Sequence, residues 1–264
     1  MYLIYRYMAE LPDLTVFAQI LTRRFKGKTL KEIDVKVAKK LKVSVDELRK
    51  ALEGSKLNKV SREGKTLQFH FGEHVLGLHL MLRGELETIE KDASLPKFTV
   101  FAFYFTGDEG FVVRDILKQA TPTLDPEKAK APDALDITET EFVALLSGRT
   151  KMIKEVLMDQ KALRGIGNSY ADEILWDARI SPFSVASAIP PSKVKKLYGS
   201  LRSVLKDAID FIAKENGDEL KGELRDAMKV HGARIVKSPS GTEVLSEKIG
   251  GRTAYYTREQ KLYS

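Results

Sequence analysis

The chain has 264 residues, with 44 Lys+Arg against 37 Asp+Glu, no cysteine, and 43 % hydrophobic and 31 % charged residues. That composition belongs to a folded chain of one large or two ordinary domains rather than a disordered one; the absent cysteines exclude disulfides, a thiol nucleophile and any thiolate-held metal. No window approaches the roughly 18 consecutive apolar residues of a membrane span, and the opening MYLIYRYM lacks a signal peptide's charged start and cleavage site, so a cytoplasmic protein is expected.

After Leu11-Pro12-Asp13, the positions Leu14, Phe17, Ala18, Leu21 and Phe25 predict a helix that Gly27 closes. Thr29 to Val37 reads as a strand. Ser44-Val45-Asp46-Glu47 is a capping-box signature opening a short helix that ends near Gly54. The period then changes to two: Lys65 to Phe71, Val75 to Leu82, Phe98 to Thr106 and Phe111 to Asp115 form a strand series, with Glu63-Gly64 and Gly72-Glu73 as turns. Residues 121–137, with Pro122, Pro126 and Pro132 and little periodicity, read as a linker. Thr138-x-x-Glu141 reopens helix, which dominates to about residue 215. SPSGT and IGGRT are turns of a terminal β-hairpin module. The expected fold is α+β: a β-rich, sandwich-like N-terminal domain (1–120), the linker (121–137), a helical domain (138–221) and a hairpin (222–264).

The formal net charge is +7, and the basic regions flank an acidic connector over residues 121–140. A polyanion fits this pattern, because Lys and Arg that neutralise phosphates release counterions. So does a basic protein with no nucleic-acid role.

The most informative stretch is Leu163-Arg164-Gly165-Ile166-Gly167-Asn168-Ser169-Tyr170-Ala171-Asp172-Glu173. Two glycines end one helical pattern and Asn168 begins the next, where an Asn caps free amides. Glycines let backbone N–H groups approach an anion, and a helix N-terminus favours phosphate. By itself this reads as an ordinary tight helix–helix turn. Its surroundings, MIKEVLMDQKALRGIGNSYADEILWDARISPF, resemble the helix–two-turn–helix of the formamidopyrimidine-DNA glycosylase/endonuclease VIII family. Glu10-Leu11-Pro12-Asp13-Leu14 resembles that family's N-terminal signature, and Arg62-Glu63-Gly64-Lys65 the turn that carries its β-strand lysine. His79-Leu80-Met81-Leu82-Arg83-Gly84 and Gly250-Gly251-Arg252-Thr253-Ala254-Tyr255-Tyr256 resemble a family strand and its finger hairpin.

The resemblance implies a monomeric base-excision-repair glycosylase with abasic-site lyase activity, which flips an oxidised base from double-stranded DNA and needs no cofactor. The DNA would lie in a basic cleft between the domains. Ala9 stands where the family's nucleophilic amine is found, Glu10 would manage protons at the opening sugar, and Lys65 would meet phosphate and developing charge. Lys154, Asn168 and Arg252 would hold phosphates at the lesion. Without the resemblance, Glu10 is a first-turn glutamate at a helix dipole, Lys65 and Lys154 are solvated lysines, and Arg252 is a surface arginine.

Here the family's proline is Ala9, with eight residues before it. While they remain, its nitrogen is an amide and no nucleophile. If translation starts at Met8 and that Met is removed, Ala9 offers a primary amine with a pKa of about 7.7–8.0, against about 10.4 for a lysine. Lys65 could replace it only with a strongly lowered pKa. The alternative is an inactive protein that recognises damaged DNA behind a blocked amine. Where many members carry four zinc-binding cysteines, this chain has Lys237, Ser240, Thr257 and Gln260, so a zinc-free finger is expected. Leu82 aligns with a residue that fills the gap left by the flipped base, as an apolar wedge or as core. In Arg114-Asp115-Ile116-Leu117-Lys118-Gln119-Ala120 only Asp115 and Lys118 persist from the family's pattern there. The four histidines lack metal-ligand spacing, and Trp176 and Met81 read as packing.

Overall fold

The computed structural model describes residues 8–221 and 224–264, so the opening segment judged for a signal peptide lies outside it except for Met8. In chain order the first elements are α1 (Leu11–Phe25), β1 (Leu30–Val35), α2 (Val45–Leu52), β2 (Leu57–Glu63) and β3 (Thr66–Phe71). Then come β4 (His74–His79), β5 (Gly84–Glu90), β6 (Thr99–Phe105), β7 (Glu109–Asp115) and β8 (Thr121–Leu124). The remaining elements are α3 (Glu139–Leu146), α4 (Ile153–Met158), α5 (Asn168–Ala178), α6 (Pro191–Asn216), β9 (Val244–Ile249) and β10 (Arg252–Thr257). Among the described residues no helix is long and apolar enough to cross a membrane.

The chain forms two compact units. One holds residues up to Lys128 together with Ile212–Leu224, and the other Ala129–Phe211 with Arg225–Ser264. The terminal hairpin thus belongs to the helical unit.

The first unit is sandwich-like. Its two antiparallel sheets have the orders β1-β6-β7-β5 and β2-β3-β4-β8. The α1 helix packs on β2 and β3. It starts at Leu11, because Pro12 fits a first turn whose N–H groups have no intrahelical acceptor. Phe17, Leu21 and Phe25 are buried against Phe69, Phe71, Phe103, Phe105 and Phe111, with the Phe25 and Phe105 rings 4.7 Å apart. Full burial of each such ring stabilises the unit by about 1.5–3 kcal/mol.

Three strands differ from the sequence reading. In β2 a bulge between Leu57 and Lys59 breaks the period of two. In β5 the buried residues are Leu86 and Ile89, so strict alternation is absent. The start of the expected linker is β8, which pairs with β4 through Leu78 and Pro122. Pro122 lacks an N–H, which an edge strand tolerates.

The second unit carries α3, α4, α5, most of α6 and the β9–β10 hairpin, in which Arg252 faces Ile249 across a Gly250-Gly251 turn. Both glycines have positive φ, 54° and 78°, as a tight hairpin turn of this twist requires.

Candidate functional site

In the first unit, Glu10 is the N-cap of α1, one residue before the first turn assigned to it from sequence. Its backbone N–H donates to Asp13 Oδ2 at 2.9 Å. Glu10 is 2 % exposed, and Ala9 beside it, at 6 %, belongs to the hydrophobic core. Lys65 lies in the β2–β3 turn with Gly64, whose φ is +56°. Arg62 links the two places: its Nε donates to Thr15 Oγ1 at 2.9 Å and its Nη1 to Gly64 O at 3.0 Å. Thr15 in turn donates to Leu11 O. The sequence marked Arg62 only as a neighbour of Lys65, although its guanidinium sets the turn against the head of α1.

His79 ends β4 opposite Thr66. Its Nδ1 accepts from the N–H of Met81 at 3.0 Å, which requires the neutral ring. Burial and then the Lys65 charge hold its pKa below the usual imidazole value. Leu82 follows in the turn and is 55 % exposed. Lys118, in the loop after β7, is exposed and has a φ of 54°.

In the second unit, Lys154, Asn168 and Arg252 are brought to one place. Lys154 Nζ and Asn168 Nδ2 both donate to the carbonyl oxygen of Thr253, at 3.2 and 3.0 Å. Arg252 precedes Thr253 and is exposed at the hairpin turn. The turn sits on α4, since a Cβ on Gly250 would lie 3.2 Å from Glu155 Oε1.

Two expectations change here. The N-cap of α5 is Gly167, not Asn168; the Asn168 amide is turned to the hairpin instead of its own helix. Lys154 is not a surface lysine: it is 1 % exposed, and its ammonium lies 2.6 Å from Asp172 Oδ1. Its ammonium, paired with Asp172, also carries the hairpin backbone through Thr253 O.

Asp172 is the hub of this arrangement. Its Oδ2 also accepts from His231 Nδ1 at 2.7 Å and from the Tyr255 N–H at 3.0 Å. The next residue, Glu173, accepts from the N–H groups of Lys229, Val230 and His231. Burial pushes the Glu173 carboxyl up, and those amides pull it back. Two adjacent acids in the largely apolar run ADEILW were the available sequence signal. His231, set aside for want of metal spacing, is buried against Tyr255 with ring centres 5.0 Å apart.

The finger does not suit zinc. Ser240 Oγ donates to Glu259 Oε2 at 2.8 Å, the Thr257 hydroxyl donates at 3.3 Å, and Arg179 Nη1 lies 2.7 Å from the same oxygen. The Ser240 hydroxyl, then Arg179, hold the Glu259 carboxyl below its usual range. Gln260 closes the knot by accepting from the Thr257 N–H and donating to Ile180 O, both at 2.8 Å. Hydroxyls, an amide and a lysine offer none of the thiolate or imidazole donors of a structural zinc site, and among the described residues no cluster of His, Asp and Glu could hold a metal.

Comparison with known proteins identifies the family. Residues 8–121 match the model of the formamidopyrimidine-DNA glycosylase N-terminal domain, and residues 129–217 that of the formamidopyrimidine-DNA glycosylase H2TH domain. The formamidopyrimidine-DNA glycosylase of Chloroflexus aurantiacus is 30 % identical over 76 % of this chain and 77 % of its own length. That of Cytobacillus firmus is 28 % identical over 94 % of this chain and 98 % of its own. Among solved structures, Lactococcus lactis Fpg in complex with abasic-site DNA superposes with a TM-score of 0.85 at 26 % identity, covering 94 % of this chain and 98 % of that one. The same protein with Fapy-dG DNA gives a TM-score of 0.86 over the same shares. In fold, in the order of its motifs and over nearly its whole length, the chain belongs to the formamidopyrimidine-DNA glycosylase family.

Proposed function

We propose that the protein excises damaged bases from double-stranded DNA and cleaves the resulting abasic site through an imine formed on Ala9. The observation that carries this reading is the head of α1: Ala9 directly precedes the buried helix cap Glu10, and the family match opens at Met8. In a chain translated from Met8, removal of that Met leaves a primary amine on Ala9 where an internal amide would otherwise stand. That amine attacks C1′ of the flipped nucleotide, the glycosidic bond breaks, and the base leaves with the bonding electrons and a proton. Ring opening then gives the imine, with Glu10 exchanging a proton with the sugar oxygen. Loss of a C2′ proton expels the 3′-phosphate and cuts the strand.

Lys65, held by the Arg62 bridge, supplies positive charge on this side. Asn168 and Arg252 grip phosphates in the helical unit, and Lys154 serves them by fixing Thr253. Leu82 and Lys118 meet the duplex beside the extruded nucleotide.

The test combines intact mass of the protein from its own cells with borohydride reduction on abasic-site DNA. A chain beginning at Ala9 that yields a covalent adduct of protein and DNA is expected. A chain beginning at Ala9 that yields none overturns the imine mechanism. The burial of Ala9 in the core favours a second reading for any chain that keeps Met8: such a chain binds lesions without cutting.

A further inference from the structure

A groove runs along α6, away from every residue of the site described above. Its volume is about 520 Å3, and it is lined by Leu135, from the segment before α3, and by Gly199, Arg202, Ser203, Lys206 and Ile209 of α6. At 3.6 residues per turn, positions 199, 202, 206 and 209 fall on one stripe of the helix. Val194, Leu197, Leu201 and Leu205 fall on another and are buried. The whole groove lies within the second unit.

Its wall is fixed before anything binds. Asp133, 4 % exposed, accepts from the Leu135 N–H at 3.1 Å. The N–H of Ala134 donates to Arg164 O, and that of Arg164 to Pro132 O, at 3.0 and 2.9 Å. From α6, the Tyr198 hydroxyl donates to Ile137 O at 3.1 Å, and the Arg202 guanidinium to Leu135 O. A preformed groove spares a ligand the entropy of ordering it. The floor is open because residue 199 has no side chain. Packing does not demand this, since a Cβ on Gly199 would meet nothing within 4 Å. Positive φ does not demand it either. A glycine inside a 26-residue helix weakens that helix, so the gap at Gly199 has no explanation in the fold.

The lining selects the occupant. Leu135 and Ile209 are half-buried apolar walls, and Arg202 and Lys206 are exposed cations. Among the described residues neither cation pairs with a carboxylate, the exposed Asp136 and Asp207 included. A phosphate chain would meet the cations and leave the apolar walls unused. A second copy of the groove would set like charge against like. An apolar side chain flanked by carboxylates satisfies both parts of the lining. We propose that this groove docks an acidic peptide segment of a partner protein. One apolar side chain lies over Gly199 between Leu135 and Ile209, and its neighbouring carboxylates meet Arg202 and Lys206. None of these residues is assigned to DNA, and the docking is independent of the chemistry at Ala9.

Fluorescence anisotropy of the full chain with labelled peptides Asp-Asp-x-Asp-Asp, where x is Leu, Phe, Trp or Ala, tests this. At least one of the Leu, Phe and Trp peptides is expected to bind about tenfold or more tighter than the Ala peptide, the scale of one buried apolar side chain. Lys206→Gln weakens that binding about tenfold, the scale of one contact to a charged group. Gly199→Leu abolishes it by filling the floor, while the melting temperature stays at or above the parent's, because leucine is the better helix former. Binding of abasic-site DNA is unchanged in both variants. The proposal is overturned if no peptide binds, if the Ala peptide binds as well as the others, or if a thymidine pentanucleotide of the same charge does. Loss of abasic-site binding in Gly199→Leu would place the groove on the DNA surface instead. Loss of self-association as the only effect of Gly199→Leu would make it an interface between copies, and either result overturns peptide docking.

Discussion

Lys154 and Asn168 donate to one oxygen, the carbonyl of Thr253, and so fix the hairpin residue that follows Arg252. Lys154 does so from inside the protein, paired with Asp172. Removing the lysine takes the ammonium away from Oδ1 of a buried carboxylate, whose Oδ2 keeps His231 and the Tyr255 N–H. Lys154→Met is therefore expected to destabilise the fold by about 3–5 kcal/mol, since breaking one side of a buried pair leaves its charge uncompensated. Denaturant unfolding measures this. A loss under about 1 kcal/mol, alongside a large loss of DNA affinity, would instead make Lys154 a direct phosphate ligand.

Arg252 is exposed and supports no part of the core. Arg252→Ala should leave thermal stability unchanged and weaken DNA binding by about 1–3 kcal/mol, with the salt dependence of binding falling by about one charge. Asn168→Ala should show an affinity loss of about the same size together with a looser hairpin, because its amide also holds Thr253. Titrations at several salt concentrations separate the two. Equal affinity of both variants and the parent at low salt would remove this face from the binding surface.

His79 gives the first unit an acid-sensitive point. Its neutral ring accepts from Met81, and its pKa is lowered in the folded state. The unfolded chain then binds a proton more readily than the folded one. The stabilisation is complete above about pH 6.5 and is lost as pH falls from there toward the lowered folded value. Thermal unfolding should show a drop between neutral and mildly acidic buffer that is smaller in His79→Gln, which keeps an acceptor without titrating. An identical drop in both proteins would place the sensitivity elsewhere.

The finger should ignore metal. Strong chelators are expected to leave stability and DNA binding unchanged, whereas Glu259→Ala removes the acceptor shared by Ser240, Thr257 and Arg179 and loosens the segment that carries Arg252. Hydrogen exchange at the β9–β10 amides reports the loosening. Slow exchange retained in Glu259→Ala would show that strand pairing alone suffices.

The sequence made some of this legible and hid the rest for physical reasons. Elements with one strong period came through: α1 by its buried face, β3 by clean alternation, α2 and α3 by the capping boxes at Ser44 and Thr138. The strands β2, β5 and β8 did not, because a bulge, a spacing of three between buried residues and a proline each disturb the alternation that marks a strand. Among the candidate residues, Lys65 stands in the turn, and Arg252 directly after the turn, that their glycines announced. Neither the burial of Lys154 nor the turning of Asn168 to Thr253 could be read, since each depends on a hairpin far along the chain.

The brace around Glu259 has a bearing on when such a protein can work. A zinc knuckle is disarmed when oxidants convert its thiolates or when metal is scarce. A knot of hydroxyls, one carboxylate and one guanidinium in a chain with no cysteine has neither vulnerability. Peroxide stress, which multiplies damaged bases, leaves this brace of the hairpin intact.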